Sequence, residues 1–331
     1  MELFITHKSA LEYWRLHGMT QIDRNHRHRR KNAPAEIPRF KELKLRDVRG
    51  LTYPLEITVR ARESIKKSKM IRAHVFSRDL PEGSIIDVGN GLYVASPELC
   101  YYQVTGKLSL PRILQLALEF CGSYSLPANN TVRSDPSFMD KGFIERPALT
   151  SKEKLTAFYS QMRNSINQRQ TSRSLRFISN GSASPMETAL TILLTLPYHY
   201  GGYGFDLPEL NTPITPVKAA LQNSSKSYYR CDLYWRKLRL AMEYDSDRFH
   251  SGSEQIARDS MKRNSLQAMG VTVITVTKQQ VNSTFEFERI ARQLAVHFGR
   301  RLMHSNANNF YKAHRRLRNL LEIRDGDEYW A

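Results

Sequence analysis

The stretch CDLYWRKLRLAMEYDSDRFH, residues 231–250, decides the fold of the second half of this chain. Apolar and polar residues alternate on both sides of the basic segment RKLR, which is typical of two strands joined by a tight turn. A turn at the centre of that segment places Asp232 opposite Glu243, with Asp245 on the same face as Glu243. Directly opposed residues lie ~5 Å apart, so like charges there repel. A purely structural hairpin therefore explains these acids poorly.

The segments around the hairpin predict helices and one further strand. SPMETALTILLTL, residues 184–196, is typical of a helix with Ser184 as N-cap and Glu187 as its capping-box partner. SGSEQIARDSMKRNSLQAMG, residues 251–270, predicts a second helix, and VTVITVT, residues 271–277, a buried strand. EFERIARQLAVHFGRRL then predicts another helix. This order indicates an α/β (α+β) unit built on a mixed sheet flanked by helices.

The first half predicts a mixed α/β N-terminal domain. Short β-branched runs such as PLEITVRA and MIRAHVFS are broken by Pro and Gly, and SLPRILQLALEFCG, residues 109–122, has helical spacing. We therefore predict an N-terminal domain over residues 1–170, a second domain over residues 171–299 and a basic C-terminal helix over residues 300–331.

The composition indicates a globular protein with a polyanionic partner. The chain has 40% hydrophobic residues, and 50 Lys and Arg against 32 Asp and Glu give a net charge of +18. Such a charge attracts polyanions, of which nucleic acid is the commonest. The basic segment at residues 23–31 is either a solvated loop or a nucleic-acid-contacting arm. The candidate contacts here and near the C-terminus are Arg27, Arg29, Arg30, Lys31, Arg315, Arg316 and Arg318.

Other features argue against a membrane partner and against a disulfide framework. The sequence has neither a long apolar run nor a signal-peptide core, so we expect no membrane partner and a cytoplasmic location. Cys100, Cys121 and Cys231 are odd in number and far apart in sequence, which disfavours disulfides and a thiolate zinc site and indicates a reducing compartment.

A divalent cation between the hairpin acids would remove their repulsion. Mg²⁺ takes carboxylate oxygens and binds phosphate, so Asp232, Glu243 and Asp245 are candidate ligands for Mg²⁺ or Mn²⁺. In a basic protein this combination predicts a phosphodiester hydrolase. The purely structural alternatives are that Glu187 only caps its helix and that His250 is a surface histidine.

Four segments, SPMETALTILL, CDLYW, LRLAMEYDSDRFH and ARDSMKRNSLQAMGVTVITVT, together resemble the PD-(D/E)XK endonuclease superfamily. The resemblance is to its very-short-patch-repair (Vsr)-like branch of uncharacterised bacterial endonuclease-domain proteins, and it covers roughly residues 180–299. It implies a restriction-endonuclease-like fold and Mg²⁺-dependent cleavage of DNA.

The resemblance also implies roles for individual residues. Asp232 and Glu243 match the two acids of the superfamily, Glu187 matches the glutamate of the first helix, and His250 matches the histidine that follows the acids in the branch. Asp245 stands where many members have lysine, so the group that transfers protons is left unassigned. Histidine can fill that role near neutral pH.

The sequence leaves three functions open. We expect a metal-dependent DNA endonuclease, in a repair, mobile-element or defence context. The alternatives are a catalytically inactive nuclease-fold protein that binds DNA or regulates, and an enzyme that cleaves RNA. SALEYW and GLYVASPELCYYQ in the first half resemble the leading regions of bacterial proteins that carry such a nuclease domain at the C-terminus, and we expect that half to recognise the substrate.

Overall fold

Helices and mixed sheets alternate along the chain, as the sequence predicts. The computed structural model describes residues 3–19, 27–28, 48–61, 68–129, 141–162, 169–215, 228–245, 253–302 and 307–323. The chain divides into two compact units, residues 1–176 and 177–331. Within the described residues, no helix has the length and apolar composition needed to cross a bilayer. All three cysteines are buried and unbridged.

The first unit is built on a mixed sheet. Its strands are β1 (Leu3–Ile5), β2 (Arg27–His28), β3 (Leu55–Val59), β4 (Ile71–Val75), β5 (Ile85–Asp87) and β6 (Leu92–Ala95). Within the described residues their order across the sheet is β2-β5-β6-β1-β3-β4. Strand β1 runs parallel to β6 and antiparallel to β3, whereas β3 and β4 are parallel. The β-rich reading of this region is therefore confirmed.

Helices cover this sheet, and a separate strand pair lies beside them. The helices are α1 (His7–His17), α2 (Pro97–Thr105), α3 (Leu110–Phe120), α4 (Lys152–Gln161) and α5 (Arg169–Ser174), and the pair is β7 (Tyr124–Ser125) with β8 (Ile144–Glu145). Helix α1 is fixed to the sheet by Trp14, which is fully buried and donates from Nε1 to the carbonyl of Ala95 at 2.8 Å. Helix α1 thus lies directly over the strands.

The second unit follows the predicted order of elements. Its strands are β9 (Glu209–Leu210), β10 (Pro213–Ile214), β11 (Tyr229–Arg230), β12 (Leu233–Trp235), β13 (Leu240–Asp245) and β14 (Thr272–Thr277). Its helices are α6 (Pro185–Thr195), α7 (Ser253–Ala268), α8 (Lys278–Asn282), α9 (Thr284–His297) and α10 (Ala307–Leu320). The main sheet has the order β14-β13-β12-β9 among the described residues, and β10 pairs with β11.

The hairpin has the predicted register. Leu233 pairs with Met242, and Trp235 pairs with Leu240. The same register, continued by one residue, places Asp232 opposite Glu243. The connection is a short 3-10 turn that ends at Arg239 in the left-handed region, φ 49°. Strand β14 then pairs parallel to β13, so α7 forms the crossover of a β-α-β unit.

Packing determines which face of β13 lies under α7. Ala241 of β13 and Leu266 of α7 are fully buried in one core cluster. Because side chains alternate along a strand, Glu243 and Asp245 point to the same side as Ala241. The apolar start of this face therefore packs against α7, and its acidic end lies at the carboxyl end of the strand.

The glycine-rich turn after α6 packs closely against α10. A Cβ added to Gly201, whose φ is +89°, would lie 2.5 Å from the main chain of Ala313 in α10. The ring Nδ1 of His314 lies 2.6 Å from the carbonyl oxygen of Gly201. The described part of the C-terminal segment, predicted as a separate element, is therefore packed into the second unit.

Candidate active site

The hairpin acids meet at the carboxyl end of β13. Asp232 lies in the bend before β12, and Glu243 and Asp245 end β13; all three are half-buried. The Oδ2 atom of Asp232 accepts a hydrogen bond from the main-chain N–H of Tyr244 at 2.7 Å. This bond holds the Asp232 carboxyl against the end of the neighbouring strand, next to Glu243.

Glu187 from α6 approaches the same acids. It is 7% exposed, and Ser184 caps the helix by accepting from the N–H of Glu187 at 3.2 Å. The Oε2 atom of Glu187 accepts from the main-chain N–H of Ala183 at 2.7 Å. Ser184 is therefore confirmed as the N-cap, whereas Glu187 accepts from the N–H of Ala183, one residue before the cap, and not from the N–H of Ser184 as a capping box requires. The carboxylate of Glu187 also acts electrostatically on Asp232 and Glu243.

Asn211 links these elements and was not singled out from the sequence. Its Nδ2 donates to Glu187 Oε2 at 2.6 Å and to the carbonyl of Gly181 at 3.0 Å. Its main-chain N–H donates to the carbonyl of Asp232 at 3.2 Å. Asn211 has φ 48°, a left-handed conformation that Asn tolerates better than most residues. In the segment NTP, residues 211–213, an asparagine able to adopt this conformation was the signal that the sequence offered.

The carboxyl groups perturb one another. Burial, followed by the charges of Glu243 and Glu187, raises the pKa of Asp232 to about 7, against the opposing hydrogen bond from Tyr244. Burial also raises the pKa of Glu187, and the Glu243 carboxylate adds to that shift. The site therefore holds an excess of negative charge that favours either a proton or a cation.

Lys262 supplies part of the balancing charge. Its Nζ donates to Glu243 Oε2 at 2.6 Å from α7, on the face that covers the acids. Burial opposes its charge, but the carboxylates, Glu243 foremost, outweigh that effect and raise the pKa of Lys262. Lys262 precedes the buried residues Ser265 and Leu266 by three and four positions, which puts it on the inward stripe of the helix. This spacing was the signal that the sequence analysis missed.

Among the described residues, the hairpin acids do not form a closed set of metal ligands. Within the described residues, Glu243 Oε1 is buried and has no hydrogen-bond partner. The ligand atoms of Asp232, Glu243 and Asp245 do not form a set lying within 4.8 Å of one another. Asp245 pairs with Thr277 at the end of β14, further along the sheet edge.

Several predicted contacts lie beyond the site or beyond the described residues. His250, Arg29, Arg30 and Lys31 fall outside the part of the chain that the structure describes, and Arg27 is described only as part of β2. Arg315 and Arg316 are exposed on α10. Arg318 is instead fully buried, and its Nη2 donates to the carbonyls of Val281 at 2.8 Å and Asn282 at 2.9 Å. Arg318 is therefore engaged inside the fold, unlike its exposed neighbours.

Comparison with known proteins gives limited similarity. No family model matches the chain, and no solved structure matches it. Two uncharacterised proteins of Mycobacterium tuberculosis, from strains CDC 1551 / Oshkosh and ATCC 25618 / H37Rv, are each 29% identical to it over 129 residues. The match covers 39% of this chain and 42% of each relative, so the similarity spans less than half the length of those proteins.

Proposed function

We propose that this chain is a metal-dependent endonuclease that hydrolyses DNA phosphodiester bonds. The observation that supports it most directly is the opposition of Asp232 and Glu243 across the hairpin, beside the buried Glu187. Three half-buried or buried carboxyls that repel one another are costly for a fold, and a cation would offset that cost. The sheet order and the helices around it are consistent with the restriction-endonuclease-like fold that the sequence resemblance implies.

The chain's own residues fit a hard divalent cation. Asp232 and Glu243, with Asp245 at the strand end, would hold Mg²⁺ or Mn²⁺, because all three offer carboxylate oxygens and Glu243 Oε1 is unpartnered among the described residues. When bound, such an ion polarises the scissile phosphate and lowers the pKa of water. Burial, and then repulsion from Glu243 and Glu187, raises the pKa of Asp232, and a cation would relieve that repulsion.

Lys262 supplies the positive charge that many superfamily members carry as a lysine at the position of Asp245. It reaches Glu243 from α7 instead of from β13, and its 2.6 Å hydrogen bond fixes the orientation of that carboxylate. Its ammonium also puts positive charge beside the acids, where a phosphate would carry its negative charge. Asn211 and Ser184 hold Glu187 in place, so Glu187 shapes the pocket from the side of α6.

The partner and setting belong to the same proposal. The net charge of +18 favours a polyanion, and DNA is the substrate that the superfamily resemblance indicates. We place the activity in a cytoplasmic repair, mobile-element or defence context, with the first unit recognising the substrate.

Cleavage of supercoiled plasmid DNA in Mg²⁺ or Mn²⁺ tests this function. We expect activity that EDTA abolishes and that Asp232→Asn reduces by ~10³-fold or more, because the substitution removes a ligand charge while keeping an oxygen that accepts from Tyr244. Glu209→Gln is the matched control, since Glu209 lies on the same sheet in an exposed ion pair with Arg236. Full activity in EDTA, or in Asp232→Asn, would contradict the proposal.

Two observations favour a second candidate, a nuclease-fold protein that binds DNA without cleaving it. Lys262 already neutralises Glu243, and the three hairpin acids do not close around one point. Tight binding of DNA in Ca²⁺ together with no cleavage in Mg²⁺ or Mn²⁺ would favour that candidate. Parallel assays with single-stranded RNA separate DNA cleavage from the RNA alternative.

A further inference from the structure

A second polar cluster lies in the first unit, whereas the hairpin acids belong to the second unit. Strands β3 and β4 are parallel, with Glu56 paired to Arg72 and Thr58 paired to His74. Period-two alternation therefore puts Glu56 and His74 on one face of adjacent strands. His7, the first residue of α1, stacks on His74 with ring centroids 3.7 Å apart. The three side chains line a pocket of about 560 Å³.

The geometry points to a new metal site: we propose that His7, Glu56 and His74 bind a first-row divalent metal ion of the zinc class. Their ligand atoms all lie within 4.8 Å of one another, which within the described ranges is true of no other set of three His, Cys, Asp or Glu residues. Two imidazoles and one carboxylate suit Zn²⁺ and its transition-metal neighbours, whereas Mg²⁺ prefers oxygen ligands alone.

The distance between Glu56 and His74 fits metal ligands better than a hydrogen bond. His74 Nε2 lies 3.7 Å from Glu56 Oε2, too far for a hydrogen bond. Ligands bound to tetrahedral Zn²⁺ at about 2.0–2.1 Å lie ~3.3 Å apart, only a few tenths of an ångström closer. Among the described residues His74 Nε2 is also buried without a hydrogen-bond partner. A buried, unpartnered nitrogen facing a carboxylate is an arrangement that a metal ion completes.

The neighbours of His7 fix the orientation of its ring. Its Nδ1 lies 3.0 Å from Thr6 Oγ1, which in turn lies 2.9 Å from Thr58 Oγ1, so we assign Nε2 as the ligating nitrogen. His7 has φ 51°, a left-handed conformation rare outside glycine and often found at functional sites.

Three features oppose binding: the charge of Lys107, the ion pair between Arg72 and Glu56, and the stacking of the two rings. Lys107 lines the pocket and acts electrostatically on both imidazoles. Arg72 pairs with Glu56 at 3.3 Å, but its side chain is 63% exposed, and ion pairs at the surface contribute little to stability. The stacked rings have an interplanar angle of 19°, so their nitrogen lone pairs lie in two nearly parallel planes and cannot both point at one ion. One ring must therefore tilt when both bind one ion. The gain from metal binding must offset these three costs.

Zinc titration of the full chain tests the site. All titrations use a full-length parent protein that carries Asp232→Asn and Glu243→Gln, so that the hairpin acids hold no ion. The result therefore does not depend on whether the endonuclease proposal is correct. Isothermal titration with Zn²⁺ should lose one binding event in His74→Ala and in Glu56→Gln. His17→Ala is the matched control, because His17 is an exposed histidine on the same helix, α1.

Spectroscopy identifies the ligands independently of the variants. X-ray absorption of the parent protein with one Zn²⁺ bound should show two imidazole ligands, and Co²⁺ should give the visible bands of a four-coordinate N/O site that Glu56→Gln removes. Glu56→Gln keeps the size of the side chain, so it guards against misfolding of His74→Ala. Unchanged zinc stoichiometry in both variants, or a bound ion without two imidazoles, would overturn the proposal.

Discussion

The ionised carboxyl of Asp232 lowers the stability of the fold, although the proposed function needs it as a metal ligand. Its pKa is about 7 in the folded chain, against 3.8 for an ordinary aspartate. As pH rises from about 4 to about 7, the unfolded chain releases this proton and the folded chain retains it. The contribution of Asp232 to stability is therefore complete below the lower value and is lost as pH rises through the folded pKa.

Asp232→Asn should consequently stabilise the protein at high pH. In EDTA, urea unfolding at pH 8 should give a free energy of unfolding about 1–3 kcal/mol above that of the wild type, with little difference at pH 4. The asparagine carries no charge to desolvate or to repel Glu243. An equal effect of the substitution at both pH values would show that the carboxyl is not perturbed in the folded state.

Lys262 gives a second prediction at a single side chain. Lys262→Met keeps the buried stem and removes the ammonium on Glu243, so cleavage should fall by ~10²-fold or more. The pH profile should also change, because the Asp232 pKa loses a neighbouring positive charge and rises. Lys237→Met in the exposed turn of the same hairpin is the control. A wild-type rate and pH profile in Lys262→Met would assign Lys262 to packing alone.

These residues also show what the sequence can and cannot predict. The opposition of Asp232 and Glu243 was predictable, because alternation and a short turn are local and fix the register. Lys262 was not assigned, because its contact with Glu243 spans 19 residues and depends on which face of β13 the crossover helix covers. The histidine cluster was missed for a similar reason: it requires the order β1-β3-β4, which no local pattern specifies.

Among the elements, the glycine turn after α6 and helix α10 depend on each other. Gly201→Ala should lower the free energy of unfolding by about 2 kcal/mol or more, because the new methyl meets the main chain of Ala313 and the left-handed φ disfavours alanine. Gly299→Ala separates the two causes, since Gly299 has φ +65° and open space around its Cβ. It should cost only about 1 kcal/mol in the same urea titration. Equal losses in the two variants would show that the close approach of α10 adds nothing.

For the whole molecule, charge should govern affinity for nucleic acid. Arg315 and Arg316 are exposed on α10, so their joint replacement by Ala should reduce the slope of log affinity against log salt by roughly 2, at ~0.9 per phosphate contact. The control is Arg289→Ala with Arg292→Ala, because those exposed arginines are already paired with Glu286 and Glu288. Fluorescence anisotropy with duplex DNA from 50 to 200 mM salt measures both. An unchanged slope in the Arg315 and Arg316 variant would show that these two arginines do not contact the DNA backbone.

The burial of Arg318 has a consequence for the gene as well as for the fold. A premature stop codon anywhere before α10 would remove the donor to the carbonyls of Val281 and Asn282. It would also uncover the buried ring of Tyr203, which packs on Phe310 with centroids 5.4 Å apart. A product ending at residue 299, where the superfamily resemblance stops, would expose apolar surface and become a substrate for cellular proteases. Late truncations should therefore behave genetically as null alleles, although every residue proposed for catalysis would still be translated.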